Sequence, residues 1–167
     1  DLALLDCAVA AQVNVAQAYL STGEVPARQG NAHLQIVPYQ AFRTADDWLI
    51  LAVGNDGQWQ RFCQACGRSD LAADLRFTTN NLRVEHRADL VPLLEAVLRE
   101  RTCAAWQSML TKAEVPHAPV WNYAQLFASE QAQARGLQVR IRDAAGNPVD
   151  LLGSPLQLPG VEKVAPT

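Results

Sequence analysis

The sequence predicts an α+β fold: a small, mostly antiparallel sheet packed with helices. Three observations lead there. Two short apolar runs, residues 37–43 and 48–53, flank the polar turn Thr44-Ala45-Asp46-Asp47, which is a hairpin pattern. Segments of helical periodicity then fill most of residues 56–135. Near the end Leu137, Val139 and Ile141 alternate with Gln138, Arg140 and Arg142, the period of a half-exposed strand.

The elements follow in order. Leu2, Leu5, Val9, Val13, Ala16 and Leu20 recur every three or four residues and predict one helix over residues 2–20. Its few charges suit burial in a larger body. Gly23 stops it and Pro26 forbids a restart, so residues 21–29 read as a linker ending in the Gly30-Asn31 turn. In the second strand Leu49, Leu51 and Val53 point one way and Trp48, Ile50 and Ala52 the other. Apolar character on both faces predicts a central strand, or one covered on both sides. Asn55 or Asp56 caps the next helix, in which Trp59, Phe62, Cys63 and Cys66 share a stripe and Gly67 is the stop. A helical turn is expected over residues 70–74. Thr78-Thr79-Asn80 opens a helix over residues 81–100, with Pro92 predicted to kink or split it. Thr102 caps a helix bearing Trp106, Met109, Leu110 and Ala113, and residues 115–120 read as a proline-stiffened extended segment. Asn122 caps a helix to about residue 128, a short turn runs on to Arg135, and Gly136 ends it. Asp143 to Pro148 reads as a turn returning the last strand over residues 149–152.

A chain of 167 residues with 49% hydrophobic and 19% charged residues belongs with globular proteins. A net charge of −3 with scattered basic residues excludes a nucleic-acid partner; Arg140 and Arg142 read as solvated. No apolar run reaches the ~18 residues of a membrane span, and no basic-then-apolar leader is visible, so no membrane partner is expected. Of four cysteines, Cys63 and Cys66 have CxxC spacing without a second pair or nearby histidines. Buried structural thiols in a reducing, cytoplasmic setting are therefore expected, and no metal site. The chain opens at Asp1 inside a helical pattern and closes over residues 161–167 in a proline-containing coil, which reads as a piece of a longer polypeptide.

Few residues carry a chemical signal. His33 lies in a Gly-Asn loop, where a lone histidine is by default a solvated side chain. Gly30 and Asn31 could offer backbone and amide donors to a carbonyl or thioester oxygen, as in an oxyanion hole. Asp56 lies at a strand-to-helix junction. A capping carboxylate is stabilised in its charged form, whereas a general base working near neutrality needs the opposite tuning, so the cap is the favoured reading. His86 and His117 read as structural or surface. No Ser-His-Asp order, phosphate-binding glycine loop or HExxH pattern is present.

The string GEVPARQGNAHLQIVPYQAFRTADDWLILAVGNDGQW (residues 23–59) resembles the family III CoA-transferases, a superfamily that includes formyl-CoA and carnitine-CoA transferases and the alpha-methylacyl-CoA racemases. The resemblance continues through Arg76-Phe77, Asn80, Arg83, His86-Arg87, Trp106, Val115-Pro116 and Pro119-Val120. Several expectations are implied by it alone. Residues 1–22 would be a helix of a large domain, 23–37 a linker and active-site loop, 38–135 a small α+β domain, and 136–167 strands and linker returning to the large domain. The parent enzyme would be an interlocked homodimer moving CoA from an acyl-CoA to a carboxylic acid. It would work through an aspartyl anhydride and thioester, with the CoA thioester as substrate and no cofactor. The nucleophilic aspartate would lie upstream, so no catalytic residue maps onto this segment, which alone would be inactive. Gly30, Asn31, Ala32 and His33 fall where formyl-CoA transferase has a mobile glycine-rich loop. Asp56 falls where the racemases have a glutamate base. Its shorter side chain and Gly-Asn-Asp-Gly setting favour transferase over racemase. An acyl-CoA racemase and a non-catalytic binding domain are the alternatives.

Overall fold

The computed structural model describes residues 2–155. Asp1, the coil over residues 161–167 and the part of the expected returning linker after residue 155 lie outside the described residues. The chain divides into two compact units between Val120 and Trp121.

The first unit opens with α1 (Leu4–Ala11) and α2 (Val13–Thr22). The single helix expected over residues 2–20 is thus broken at Gln12, whose N–H turns to the Val9 carbonyl, one residue short of the α-helical partner. Neither proline nor glycine marks the break. Neither helix buries a residue, and Leu4 and Leu20 are 91% and 75% exposed.

Strands β1 (Tyr39–Arg43), β2 (Trp48–Ala52) and β3 (His117–Pro119) form an antiparallel sheet with β2 in the centre. Phe42 pairs with Leu49 and Gln40 with Leu51, which places Phe42, Leu49 and Leu51 on one face, all buried. The other face carries Tyr39, Ala41, Trp48, Ile50 and Ala52, and Trp48 is 43% exposed. Only the inner face of β2 is therefore covered by the described residues. The sequence reads β3 merely as extended chain. Its pairing with β2 at Leu49–Pro119 and Leu51–His117 depends on a partner about 70 residues distant.

Helices fill the inner face. They are α3 (Asp56–Cys66), α4 (Ser69–Ala73), α5 (Asn80–Glu85), α6 (Arg87–Leu98) and α7 (Cys103–Lys112). Trp59 and Phe62 of α3, Leu90, Leu94 and Leu98 of α6, and Trp106 and Leu110 of α7 meet the sheet in one core. The break in the predicted 81–100 helix lies at His86, not at Pro92, which is accommodated inside α6. Arg83 and Arg87, on either side of the break, are both committed to carbonyls outside the helices. Tertiary anchoring, rather than proline, sets its position. The turn between β1 and β2 is tied to α7: Cys103 N–H donates to Asp46 Oδ1 at 2.8 Å, which holds the Asp46 carboxyl below its usual range.

Burial pushes the Cys63 and Cys66 thiols up to about 12, so both stay protonated at neutral pH. Native protein treated with iodoacetamide at pH 8 is expected to leave both unmodified, with labelling only after unfolding, as read by peptide mass spectrometry. Labelling of Cys63 in the native state would contradict its place in the core.

In the second unit Asn122 caps α8 (Tyr123–Ala128) with a full capping box, and α9 (Glu130–Ala134) follows. Strands β4 (Gln138–Arg142) and β5 (Pro148–Leu152) form the expected hairpin. Arg140 is exposed, but not merely solvated: it makes a two-pronged pair with the cross-strand Asp150 at 2.6 and 2.8 Å.

Candidate functional site

The segment before β1 is built by a few specific ties. Gly30 adopts φ +62, a conformation that favours glycine, and starts the loop. Asn31 Oδ1 accepts from Ala41 N–H at 3.0 Å, and His33 N–H donates to the Tyr39 carbonyl at 2.8 Å. The loop thus folds back along the edge of β1. The His33 ring stacks on Tyr39, with centroids 5.3 Å apart and planes within 8°. Its Nδ1 accepts from Gln35 N–H at 3.1 Å, which leaves Nε2 as the ring's donor nitrogen. His33 is therefore half-buried and fixed, not the freely solvated side chain expected of a lone loop histidine.

The helices hold the loop from below. Asn80 donates to the Gln35 carbonyl at 2.8 Å and accepts from Val37 N–H at 3.1 Å. Arg87 Nη2 donates to the carbonyls of His33 and Leu34. Arg83 is fully buried and binds three segments at once: Val37 O at 2.8 Å, Phe77 O at 3.0 Å and Asp56 Oδ1 at 2.9 Å. Its guanidinium lies 5.3 Å from the centre of the Trp59 ring. Burial pulls Arg83 below the usual arginine value, and Asp56 opposes that pull.

Asp56 is not the helix cap. Asn55 is, through its Oδ1 accepting Gln58 N–H at 2.9 Å, and this leaves Asp56 in the first turn as the counter-ion of Arg83. Asn55 can cap because its backbone is extended and its carboxamide falls beside the free N–H groups of the turn. Tyr39 pairs with Ala52 at the end of β2 that leads to Asp56, so the 30–33 loop and Asp56 lie toward the same end of the sheet. Arg83 links that end through Val37 and Asp56. His86 and His117 stand apart from it: His86 Nδ1 lies 3.7 Å from Asp89, and His117 is held by the Val115 carbonyl. Among the described residues, no cluster of His, Cys, Asp and Glu could hold a metal ion.

From the sequence Asn80 reads only as part of a helix start, and Arg83 and Arg87 have no role in the site. A signal existed, since Arg83 and Arg87 lie seven and three residues before Leu90, in phase with the buried Leu90, Leu94 and Val97 stripe. A cation in phase with a core stripe marks an internal anchor.

The chain belongs to CoA-transferase family III, whose family model matches residues 1–167. It is 38% identical to the succinate–glutarate CoA-transferase of Agrobacterium fabrum over 93% of this chain and 39% of that protein. It is 30% identical to the acetyl-CoA:oxalate CoA-transferase of Acetobacter aceti over 98% of this chain and 43% of that protein. Among solved structures, a CAIB/BAIF family protein from Brucella suis superposes with a TM-score of 0.77 at 38% identity, over 96% of this chain and 41% of that one. The chain spans about two-fifths of the length of these relatives.

Proposed function

We propose that the intact protein carrying this chain moves CoA from an acyl-CoA thioester, such as succinyl-CoA, to a carboxylic acid, with a dicarboxylic acid the favoured acceptor. Relatives named for succinate, glutarate and oxalate support that substrate class. In this reading the thioester is a substrate and no cofactor is needed. The aspartate that forms the anhydride lies upstream of these residues, and the segment alone is inactive. Residues 1–22 and 136–167 belong with a large domain, residues 38–135 form most of a small one, and the parent enzyme is an interlocked cytoplasmic homodimer.

The part played here is a pocket wall. Gly30, Asn31, Ala32 and His33 close over the reacting carbonyl, with the Asn31 amide and His33 Nε2–H as donors, and Asp56 supports that wall through Arg83. The observation that carries transfer over racemisation is the Arg83–Asp56 ion pair. A base that removes a proton next to a thioester must aim a carboxylate oxygen at carbon. Asp56 has one oxygen committed to a buried guanidinium, which fixes the direction of the other.

The test is Asn31→Ala and His33→Ala in the intact protein, assayed with succinyl-CoA and a panel of dicarboxylic acids. Loss of a donor to a developing oxyanion costs about 100-fold in kcat. Each variant is expected to fall by that order while remaining folded, with the melting temperature lowered by the lost Ala41 or Gln35 hydrogen bond. Wild-type rates in both variants would remove the loop from the reaction.

A further inference from the structure

Arg87 Nη2 lies 2.8 Å from the carbonyl of His33 and 2.9 Å from that of Leu34. Successive carbonyls alternate in direction along an extended chain, so two that converge on one nitrogen place this stretch in a turn. Across a planar trans peptide the N–H points away from the C=O. The N–H groups of Leu34 and Gln35 therefore both leave the loop on the side opposite Arg87. That of Gln35 reaches His33 Nδ1, which puts the imidazole on the same side. That of Leu34 has no hydrogen-bond partner among the described residues. With the Gln35 N–H spent on the imidazole, the Leu34 N–H is the backbone donor left open on that side of the turn.

Arg87 differs from its neighbour. Arg83 has Asp56, but the partners of Arg87 are the two carbonyls, and burial lowers its proton affinity with no carboxylate opposing. A cation on a peptide carbonyl polarises that peptide and makes its N–H a stronger donor.

We propose that Arg87 is a positioning residue, turning the His33–Leu34 peptide so that the Leu34 N–H and the neighbouring His33 Nε2–H together bind a carboxylate oxygen of the acid substrate. This rests on the CoA-transferase reading for the identity of the acid. It adds a backbone donor and the cation that aims it.

The experiment labels the intact protein with carbonyl-13C histidine and 15N leucine, so that only leucine amides preceded by histidine are observed. His33→Gln erases the Leu34 signal and thereby assigns it. With glutarate as the probe, the Leu34 amide proton is expected to move downfield and saturate in the wild type. Arg87→Lys keeps a reduced movement, and Arg87→Met loses it, with apparent affinity for glutarate weakened about tenfold, the size of one hydrogen bond to a charged group. An unmoved Leu34 amide at glutarate concentrations that support turnover overturns the proposal, and this wild-type measurement stands even if Arg87→Met fails to fold. Equal movement in folded Arg87→Met also overturns it. A Leu34 amide that responds in a protein that transfers no CoA upholds the Leu34 binding site while rejecting the transferase reading. No response and no transfer overturns both.

Discussion

Arg83→Met is expected to destabilise the protein by about 2–5 kcal/mol, because two buried backbone carbonyls, those of Val37 and Phe77, lose their donor together. Methionine fills much of the space beneath Trp59 but donates nothing. The substituted residue lies where the segment entering β1, the chain before α5 and the first turn of α3 come together, so the damage spreads to all three. Asp56→Asn is the control. The Asp56 side chain is 51% exposed, and water can replace much of what it gives Arg83, so its loss should cost only about 1 kcal/mol. Urea unfolding of both variants separates the cases. Equal, small shifts would mean that Arg83 serves only as an exposed ion pair would.

The second large effect is Trp106→Ala, expected to cost about 3–5 kcal/mol. Trp106 is 1% exposed within the core, and its Nε1 donates to the Leu98 carbonyl at 2.8 Å, joining α7 to the last turn of α6. Alanine leaves both a cavity and an orphaned carbonyl. Trp106→Phe retains most of the packing and loses only the hydrogen bond, so it should fall between wild type and Trp106→Ala. If the two variants are equally unstable, the hydrogen bond rather than the packing dominates. Neither variant touches the 30–33 loop, so residual folded protein should keep its affinity for the acid.

What was legible in the sequence follows from how local each signal is. The hairpin around residues 44–47, the stripe of Trp59, Phe62 and Cys63, and the caps at Thr79, Thr102 and Asn122 are all set within a few residues, and each forms as read. What failed depends on distant partners. β3 exists because β2 offers a free edge, and the helix breaks at His86 because Arg83 and Arg87 are held by residues more than four turns of chain away. At Gln12 nothing in the sequence marks the break. In the site, Asn55 and Asp56 are both cap candidates on paper, and the cap is the reading favoured for Asp56. The buried Arg83 decides between them by taking Asp56, and that contact spans 27 positions. His33 likewise looked free because its stacking partner Tyr39 belongs to the strand onto which the loop folds.

The most direct test of CoA transfer is one reaction. Intact protein is incubated with succinyl-CoA and glutarate, and every acyl-CoA and free acid is quantified. Glutaryl-CoA and succinate are expected to appear in equal amounts, without net hydrolysis, and the yield to fall in the loop variants. Unchanged succinyl-CoA across glutarate, oxalate and other dicarboxylic acids, together with solvent exchange of the α-proton of a 2-methylacyl-CoA, would contradict CoA transfer and identify the protein as a racemase.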